Sequence, residues 1–380
     1  AYLEYHFDTS RERKINILED GKADFKELSL IKNVNEEQLL VSMIPATEGS
    51  MGKSVYGEEI QARDGKPIRL PVGKNVKVDD DGLNLFAAID GEVKFSDGKV
   101  SVYPVYEVPA NVDNTTGNIK FLGKVIVKGN VLTNFTIEAD DDVEVFGVVE
   151  GAKIFSKGNI TLHRGMQGMN RGELHCEGDL VAKFIENSKI HAKGNIKTEA
   201  IMHSTVFSGK RLDVGGRKGL IVGGQIKASE EIKAKIIGSP MATITEVEVG
   251  TNPEVRSKYE KSKIEKDNIS ENLVKLNQAI NVLTKLNREN KLSEERKELL
   301  NKSIIMKLKM QSKFEQIRSE IKSLELHIEE MAAGKIKAEQ IVYPGTRIII
   351  GSSMMYIKDK IQYATFYRYE GEVKIGSFES

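Results

Sequence analysis

Ile154-Phe155-Ser156-Lys157-Gly158-Asn159-Ile160 decides the fold of this chain, because the same stretch returns in altered form down the middle of the sequence. The other copies are Ile137 to Val143, Leu174 to Leu180, Ile190 to Ile196, Val206 to Leu212 and Ile226 to Ile232. Each opens on an aliphatic residue, places a small residue two positions on, crosses a polar stretch often holding Gly, and closes on another aliphatic. The closing aliphatics stand 17, 20, 16, 16 and 20 residues apart. A repeat of that length, with period-two alternation at both ends, predicts strand-turn-strand coils stacked on one another. One coil cannot bury its own apolar face, whereas a stack shares a continuous core and forms a rod.

Aligned on the closing aliphatic, the opening residues form one column and Ala139, Ser156, Cys176, Ala192, Ser208 and Ala228 form a second. The two columns share a parity, so both point inward from an extended segment. The second is small because its members pile up every ~4.8 Å inside the rod. Gly158-Asn159, Gly178-Asp179 and Gly194-Asn195 are residue types that accept a sharp corner. Val125 to Val131 fits the template and extends the rod upstream. The expected fold is mainly β: a single-stranded, right-handed parallel β-helix, the hand following from the general preference of parallel crossovers.

Four segments follow. Residues 1–110 hold strand-like runs such as Leu83 to Ile89 and Lys99 to Val105, with turns at Asp64-Gly65, Asp81-Gly82, Asp90-Gly91 and Asp97-Gly98. They predict a small β-rich domain capping the rod, with one short helix around Asp24 to Ile31. Residues 111–252 form the β-helix. In residues 253–335 the texture changes: Gly is absent between Gly250 and Gly334. Ile269, Leu273, Leu276, Ile280 and Leu283 step by four and three, as do Met310, Phe314, Ile317, Ile321, Leu324, Ile328 and Met331, the heptad seam of a coiled coil. The seam breaks near Asn287 to Leu292, and Ser293 before Glu294-Glu295 starts a new helix. Two antiparallel helices would thus project roughly 50 Å from the rod. Leu299, Leu300, Ile304, Ile305 and Leu308 lie off the later seam; they either shift the register or leave a second stripe for a partner. Residues 336–380 resume the rod: Val342, Pro344, Ile348 and Ile350 fall on the inward template around a Gly345-Thr346-Arg347 turn. An aromatic-rich hairpin is expected to close the end, since an open coil would template aggregation.

Lys plus Arg equals Asp plus Glu at 56 each, which argues against nucleic acid and anionic membranes as general partners. Residues 1–110 carry 14 basic and 20 acidic side chains, net −6, and residues 253–335 carry 18 and 14, net +4. The only cysteine, Cys176, excludes an intrachain disulfide and fits a reducing, cytoplasmic compartment. No apolar run reaches the ~20 residues needed to cross a bilayer, and no secretory signal is read. The first residue is Ala1, which leaves room for residues upstream.

Motifs that could carry chemistry have structural readings beside them. Gly49-Ser50-Met51-Gly52-Lys53-Ser54 looks like a phosphate-binding loop, but that loop needs Gly where Thr47 stands and a helix after it, so a structural turn is favoured. His175, His191 and Cys176 suggest a metal site. Yet Phe155 and Phe207 share the histidine column, and parity sends this column outward and Cys176 inward. A stacked aromatic ladder is the better account. Asp140-Asp141-Asp142 could hold Ca²⁺ as in β-helix polysaccharide lyases, but the next coil offers Lys157, Gly158 and Asn159, so a solvated corner is favoured. The pairs Gly215-Gly216 and Gly223-Gly224 could cradle an anion or simply turn a corner. No catalytic, cofactor-binding or metal residue is assigned. Partner binding is assigned to the hairpin tip: Asn287, Asn290, Lys291 and Leu292.

Pro45-Ala46-Thr47-Glu48-Gly49 followed by Gly52, Val55, Gly57 and Ile60 resembles the N-terminal region of the flagellar assembly protein A family, as do Gly73-Lys74-Asn75-Val76 and Ala88-Ile89-Asp90-Gly91. Asn111-Val112-Asp113 with Thr116-Gly117-Asn118-Ile119 and Gly129-Asn130-Val131 resembles the start of that family's β-helix. Lys183 to Asn187, Lys218 to Gly224, and Thr245 through Gly250 to Pro253 are similar to it further on. The resemblance spans nearly the whole chain, coiled coil included. It implies a bacterial, cytoplasmic protein with a role in flagellar assembly or placement, no established reaction and no catalytic motif. The expected function is a non-enzymatic scaffold with protein partners, without nucleic acid or membrane insertion. A carbohydrate-active β-helix enzyme and a self-assembling structural protein, homo-oligomeric through its ends or hairpins, are the alternatives.

Overall fold

The computed structural model describes residues 1–9, 16–17, 23–24, 26, 31–250, 253–288, 293–331 and 333–378. Its centre is a parallel β-solenoid of about eight turns. The repeated segment supplies two of its walls. On the first, Ile119, Ile137, Ile154, Leu174, Ile190, Val206, Ile226, Val247 and Ile348 pair in sequence from coil to coil. On the second, Val125, Val143, Ile160, Leu180, Ile196, Leu212, Ile232 and Ile336 do the same. Both columns are buried, as their inward parity requires. Cys176 lies inside, between Ser156 and Ala192. The small column grows large only towards the ends, at Phe121, Val249 and Ile350.

The sequence repeat conceals a third wall. Val112, Val131, Val149, Met166, Ile185, Ile201, Ile221, Ile237 and Val342 form its column and close the cross-section into a triangle. Two residues past the wall, Asn187, His203 and Gly223 turn the chain back with φ of 47°, 49° and 69°. That left-handed conformation suits Asn and Gly best.

The other corners are held by side chains that replace backbone partners. Asp142 Oδ1 accepts from the backbone N–H of Asn159 at 2.8 Å, Asn159 Oδ1 from that of Asp179 at 2.8 Å, and Asp179 Oδ1 from that of Asn195 at 2.6 Å. A Cβ on Gly158 would lie 2.6 Å from Asp142 Oδ1, so glycine there leaves room for the ladder. Across the next corner, Asn111 Oδ1 accepts from Asn130 N–H and Asn130 Oδ1 from Val148 N–H. Side chains thereby satisfy backbone amides over three steps of one corner and two of the next.

Parallel pairing starts at Val105–Val108, which joins Lys124–Val127. Ahead of it, strands Tyr2–Tyr5, Leu39–Ile44, Asn84–Ala87 and Val76–Val78 form one antiparallel sheet, and Lys99–Tyr103, Gly91–Ser96 and Asn33–Val34 another. They enclose a separate core of Leu40, Val41, Leu85, Val93, Val100 and Val102. Asp97 and Gly98 turn the hairpin between Gly91–Ser96 and Lys99–Tyr103 with φ of 52° and 71°. Asn33 Nδ2 donates to Lys120 O and Asn118 N to Lys26 O, fastening this region onto the first coil. The helix expected around Asp24 to Ile31 is not seen at its start: Asp24 belongs to a short strand, Ala23–Asp24, paired with Asn16–Ile17. Most of the remainder lies outside the described residues.

Helix α1 (Pro253–Arg288) and helix α2 (Glu294–Met331) leave the rod between Thr245–Val249 on the first wall and Lys335–Val342 on the second. The rod continues in register across them: Ile232 pairs with Ile336 and Val247 with Ile348. The resumed turn is Pro344-Gly345, one step earlier than expected, because Thr346 and Arg347 already belong to the strand Thr346–Ile350. Ile361–Tyr369 then lies antiparallel on Lys335–Val342 with Phe366 buried, and Glu372–Ser377 covers it in turn. This reversal closes the stack, as the aromatic tail predicted.

Candidate functional site

The outer side of the first wall carries the histidine column. His175 and His191 stack with centroids 4.7 Å apart and planes 3° from parallel, His191 lies 4.8 Å from Phe207, and Phe155 is a looser 6.5 Å from His175. Rings stacked along the rod present edges to solvent and keep their faces for one another, so they offer no platform on which a sugar ring could lie. Cys176 is on the opposite side of the same strand, and the three residues are not brought together. Burial, and next the charge of Asp179, push its thiol up to about 12, leaving it protonated and inert.

A second stack escaped the sequence reading. Phe146 and His163 lie 4.2 Å apart at 16°, with Lys128 Nζ 4.5 Å from the Phe146 ring centroid. His163 Nε2 is 2.8 Å from Glu144 Oε1, and Lys124 Nζ is 3.1 Å from Oε2. His163 first and then Lys124 hold Glu144 below the ordinary glutamate range. The signal was available: Phe146 and His163 each stand three residues after a closing aliphatic, Val143 and Ile160.

The other candidates are absorbed by the fold. Asp142 belongs to the corner ladder and Asp140 pairs with Lys157 at 2.8 Å, so the aspartates do not converge. Gly52–Lys53 pairs with Glu59–Ile60 in a two-stranded hairpin turned by Ser54 to Gly57, and no helix follows. Its amides therefore lack the helix N-terminus that cradles phosphate. Gly223 N donates to Thr245 Oγ1 at 2.9 Å and Gly215 N to Thr198 O at 2.9 Å, which takes one amide of each glycine pair into the fold. Among the described residues no group of three or more His, Cys, Asp or Glu is placed to hold a metal ion, and no helix is long and apolar enough to cross a membrane.

The helical hairpin, α1 with α2, packs on itself. Ile269, Ile317 and Ile321 form its core, with Tyr259, Leu273, Met310 and Phe314 packed on them. Lys258 pairs with Glu320 at 2.8 Å and Glu265 with Lys313, which fixes the two helices as antiparallel. In the tipward half of α2 the heptad phase runs on through Leu300, Ser303 and Lys307, of which Leu300 is buried and the others half-buried. Leu300 thus belongs to the seam, against the expectation that it lies off it, because it continues the 3-4 spacing back from Met310; the others of that set, Leu299, Ile304, Ile305 and Leu308, are 40–61% exposed, so the register does not shift. Of the assigned tip residues, Asn287 is exposed in the last turn of α1, while Asn290, Lys291 and Leu292 lie outside the described residues.

Two family models match this chain, the Flagellar Assembly Protein A beta solenoid domain over residues 104–373 and the Flagellar Assembly Protein A N-terminal region over residues 1–98. The chain belongs to the flagellar assembly protein A family. No curated protein and no solved structure matches it. The solenoid match of this family member includes α1 and α2, so the inserted helices lie within the matched domain.

Proposed function

We propose that this flagellar assembly protein A family member is a non-catalytic scaffold of the bacterial cytoplasm, presenting a coiled-coil hairpin to protein partners from a rigid rod. The observation that carries the reading is the unbroken register on both sides of the hairpin, Ile232 to Ile336 and Val247 to Ile348. A helical pair that leaves and rejoins one parallel stack is presented from a fixed base, and pre-organised presentation lowers the ordering cost of binding. The family's name points to flagellar assembly or placement as the setting. Spending the corner aspartates and glycines on the fold agrees with a protein that works through its surfaces.

Deleting Asn268 to Lys322 tests this. Partners retained by the full chain are expected to be lost from the deletion, with the β signal in circular dichroism unchanged. Retention of the same partners by the hairpinless rod would refute it.

A further inference from the structure

The g flank of the hairpin seam changes character along its length. With Ile269, Leu276 and Leu283 at d of α1, and Met310 and Ile317 at d of α2, the ion pairs Lys258–Glu320 and Glu265–Lys313 both join g to g. Seven residues further along α1 and seven back along α2, the same register sets Asn272 against Met306. The next step sets Ala279 against Leu299, and Leu286 lies beyond. The row that is ionic near the rod is thus uncharged and mostly apolar towards the tip. Met306 is 57% exposed and Leu299 53%, and Val282, at the neighbouring c position of α1, is 60% exposed. Apolar residues at a, d and g together are the pattern of a helix that packs on more than one neighbour. At e in this half the only apolar residue is Ile304, among Asn277, Thr284, Lys297 and Gln311.

Charge identifies the occupant. The c positions beside this strip carry Lys275 on α1 and Lys302 and Lys309 on α2, and no acidic residue stands at c or g within residues 272–286 or 299–313. Lys302 pairs at 2.7 Å with Glu298, an exposed f residue on the back of α2. Among the described residues Lys275 and Lys309 form no ion pair. Lysines on both shoulders of an apolar strip complement a helix whose own flanks are acidic. A second copy of the same strip would set lysine against lysine. A bilayer fits less well: apart from Val282 the apolar row is one residue wide on each helix, and it runs into the ion-paired row. Resting on the scaffold reading, we propose that the g-side strip of Ala279, Leu286, Leu299 and Met306, flanked by Lys275, Lys302 and Lys309, receives an acidic amphipathic helix of a partner protein. From Asn272 to Leu286 the strip runs about 21 Å, enough for about four turns of that helix.

The test uses the full chain and a labelled helical peptide with Leu at a and d and Glu at e and g, followed by fluorescence anisotropy. Saturable binding is expected, weakening as salt is raised until the Debye length falls to about 3 Å. A double variant, Leu299→Gln with Met306→Gln, keeps helix propensity and removes the apolar contact; it should weaken binding about tenfold, with circular dichroism unchanged. Lys275→Gln with Lys309→Gln alters only exposed side chains; it should weaken binding about threefold and flatten the salt dependence. Leu308→Gln, at b on the other side, and Lys285→Gln, at f on the back of α1, should bind as the parent does. Equal affinity for the peptide with Lys in place of Glu overturns the proposal, as does equal loss from Leu308→Gln and the double variant. So does binding to phosphatidylserine vesicles, or dimerisation of the chain, that the double variant abolishes. If partners are lost with the hairpin but the acidic peptide does not bind, the acidic-helix assignment fails and the scaffold reading stands.

Discussion

Leu308→Lys and Ile317→Ala should differ sharply in cost, although both alter an aliphatic residue of α2. Leu308 is 61% exposed and so contributes the remaining two-fifths of a leucine burial worth about 1.5–3 kcal/mol, or about 0.6–1.2 kcal/mol. A lysine stem recovers much of that contact while its ammonium stays in water, leaving a net loss of about 0.5 kcal/mol or less. Ile317 is 6% exposed at the centre of the seam, and its truncation should cost about 2–5 kcal/mol. Lys307→Leu should stabilise by about 1 kcal/mol, since the half-buried seam position gains an apolar side chain. Urea titration followed in the helical band of circular dichroism measures all three, because α1 and α2 hold the helical signal among the described residues. A loss above about 2 kcal/mol for Leu308→Lys would show the seam running through the off-register residues, and the exposed stripe would vanish with it.

Asp179→Ala removes the acceptor of Asn195 N–H and should cost about 1–2 kcal/mol in urea unfolding, whereas Asp141→Ala, outside the ladder, should stay within about 0.5 kcal/mol. Cys176 should resist maleimide at neutral pH in the folded chain and react on unfolding, since its thiol is buried and pushed up to about 12; rapid native labelling would contradict the inward column. Glu144, beside His163 and Lys124, and Glu177, beside Lys193, both titrate below the ordinary glutamate value in the folded chain. Their contribution is therefore present above the unfolded glutamate pKa and is lost as pH falls through the lowered one, so Glu144→Gln with Glu177→Gln should flatten the acid limb of a stability–pH curve. Gly224→Ala should destabilise the rod through its φ of 85° and its closeness to the Ser204 backbone, read as a lower melting temperature.

Two walls of the solenoid were legible because the distance between them never changes: each opening aliphatic stands six residues before its closing one, from Ile137–Val143 to Ile226–Ile232. The third was hidden because, in those six coils, all the variation in length falls around it. Leu180 to Ile185 is a step of five but Leu212 to Ile221 a step of nine; Ile185 to Ile190 is five but Met166 to Leu174 eight. Loops beside a wall tolerate insertion at little entropic cost, and insertion erases periodicity. The histidine stack was readable from parity alone, while the Phe146–His163 stack required following the offset past the closing aliphatic. The exposed stripe could only be posed as a choice, since Leu299 to Leu308 offers two apolar phases and Ser303 and Lys307 in the seam go against composition.

The place where the helices depart carries an engineering consequence. In the other repeated coils the bend between the first two walls is three residues, as in Asp140-Asp141-Asp142; in this one it is residues 250–335, yet the strands on either side keep their neighbours. That bend therefore behaves as a socket. A different module whose two ends come close together should plug in between Gly250 and Gly334 without retuning the shaft beneath, which makes the chain a ready mount for displaying foreign helices at a set orientation.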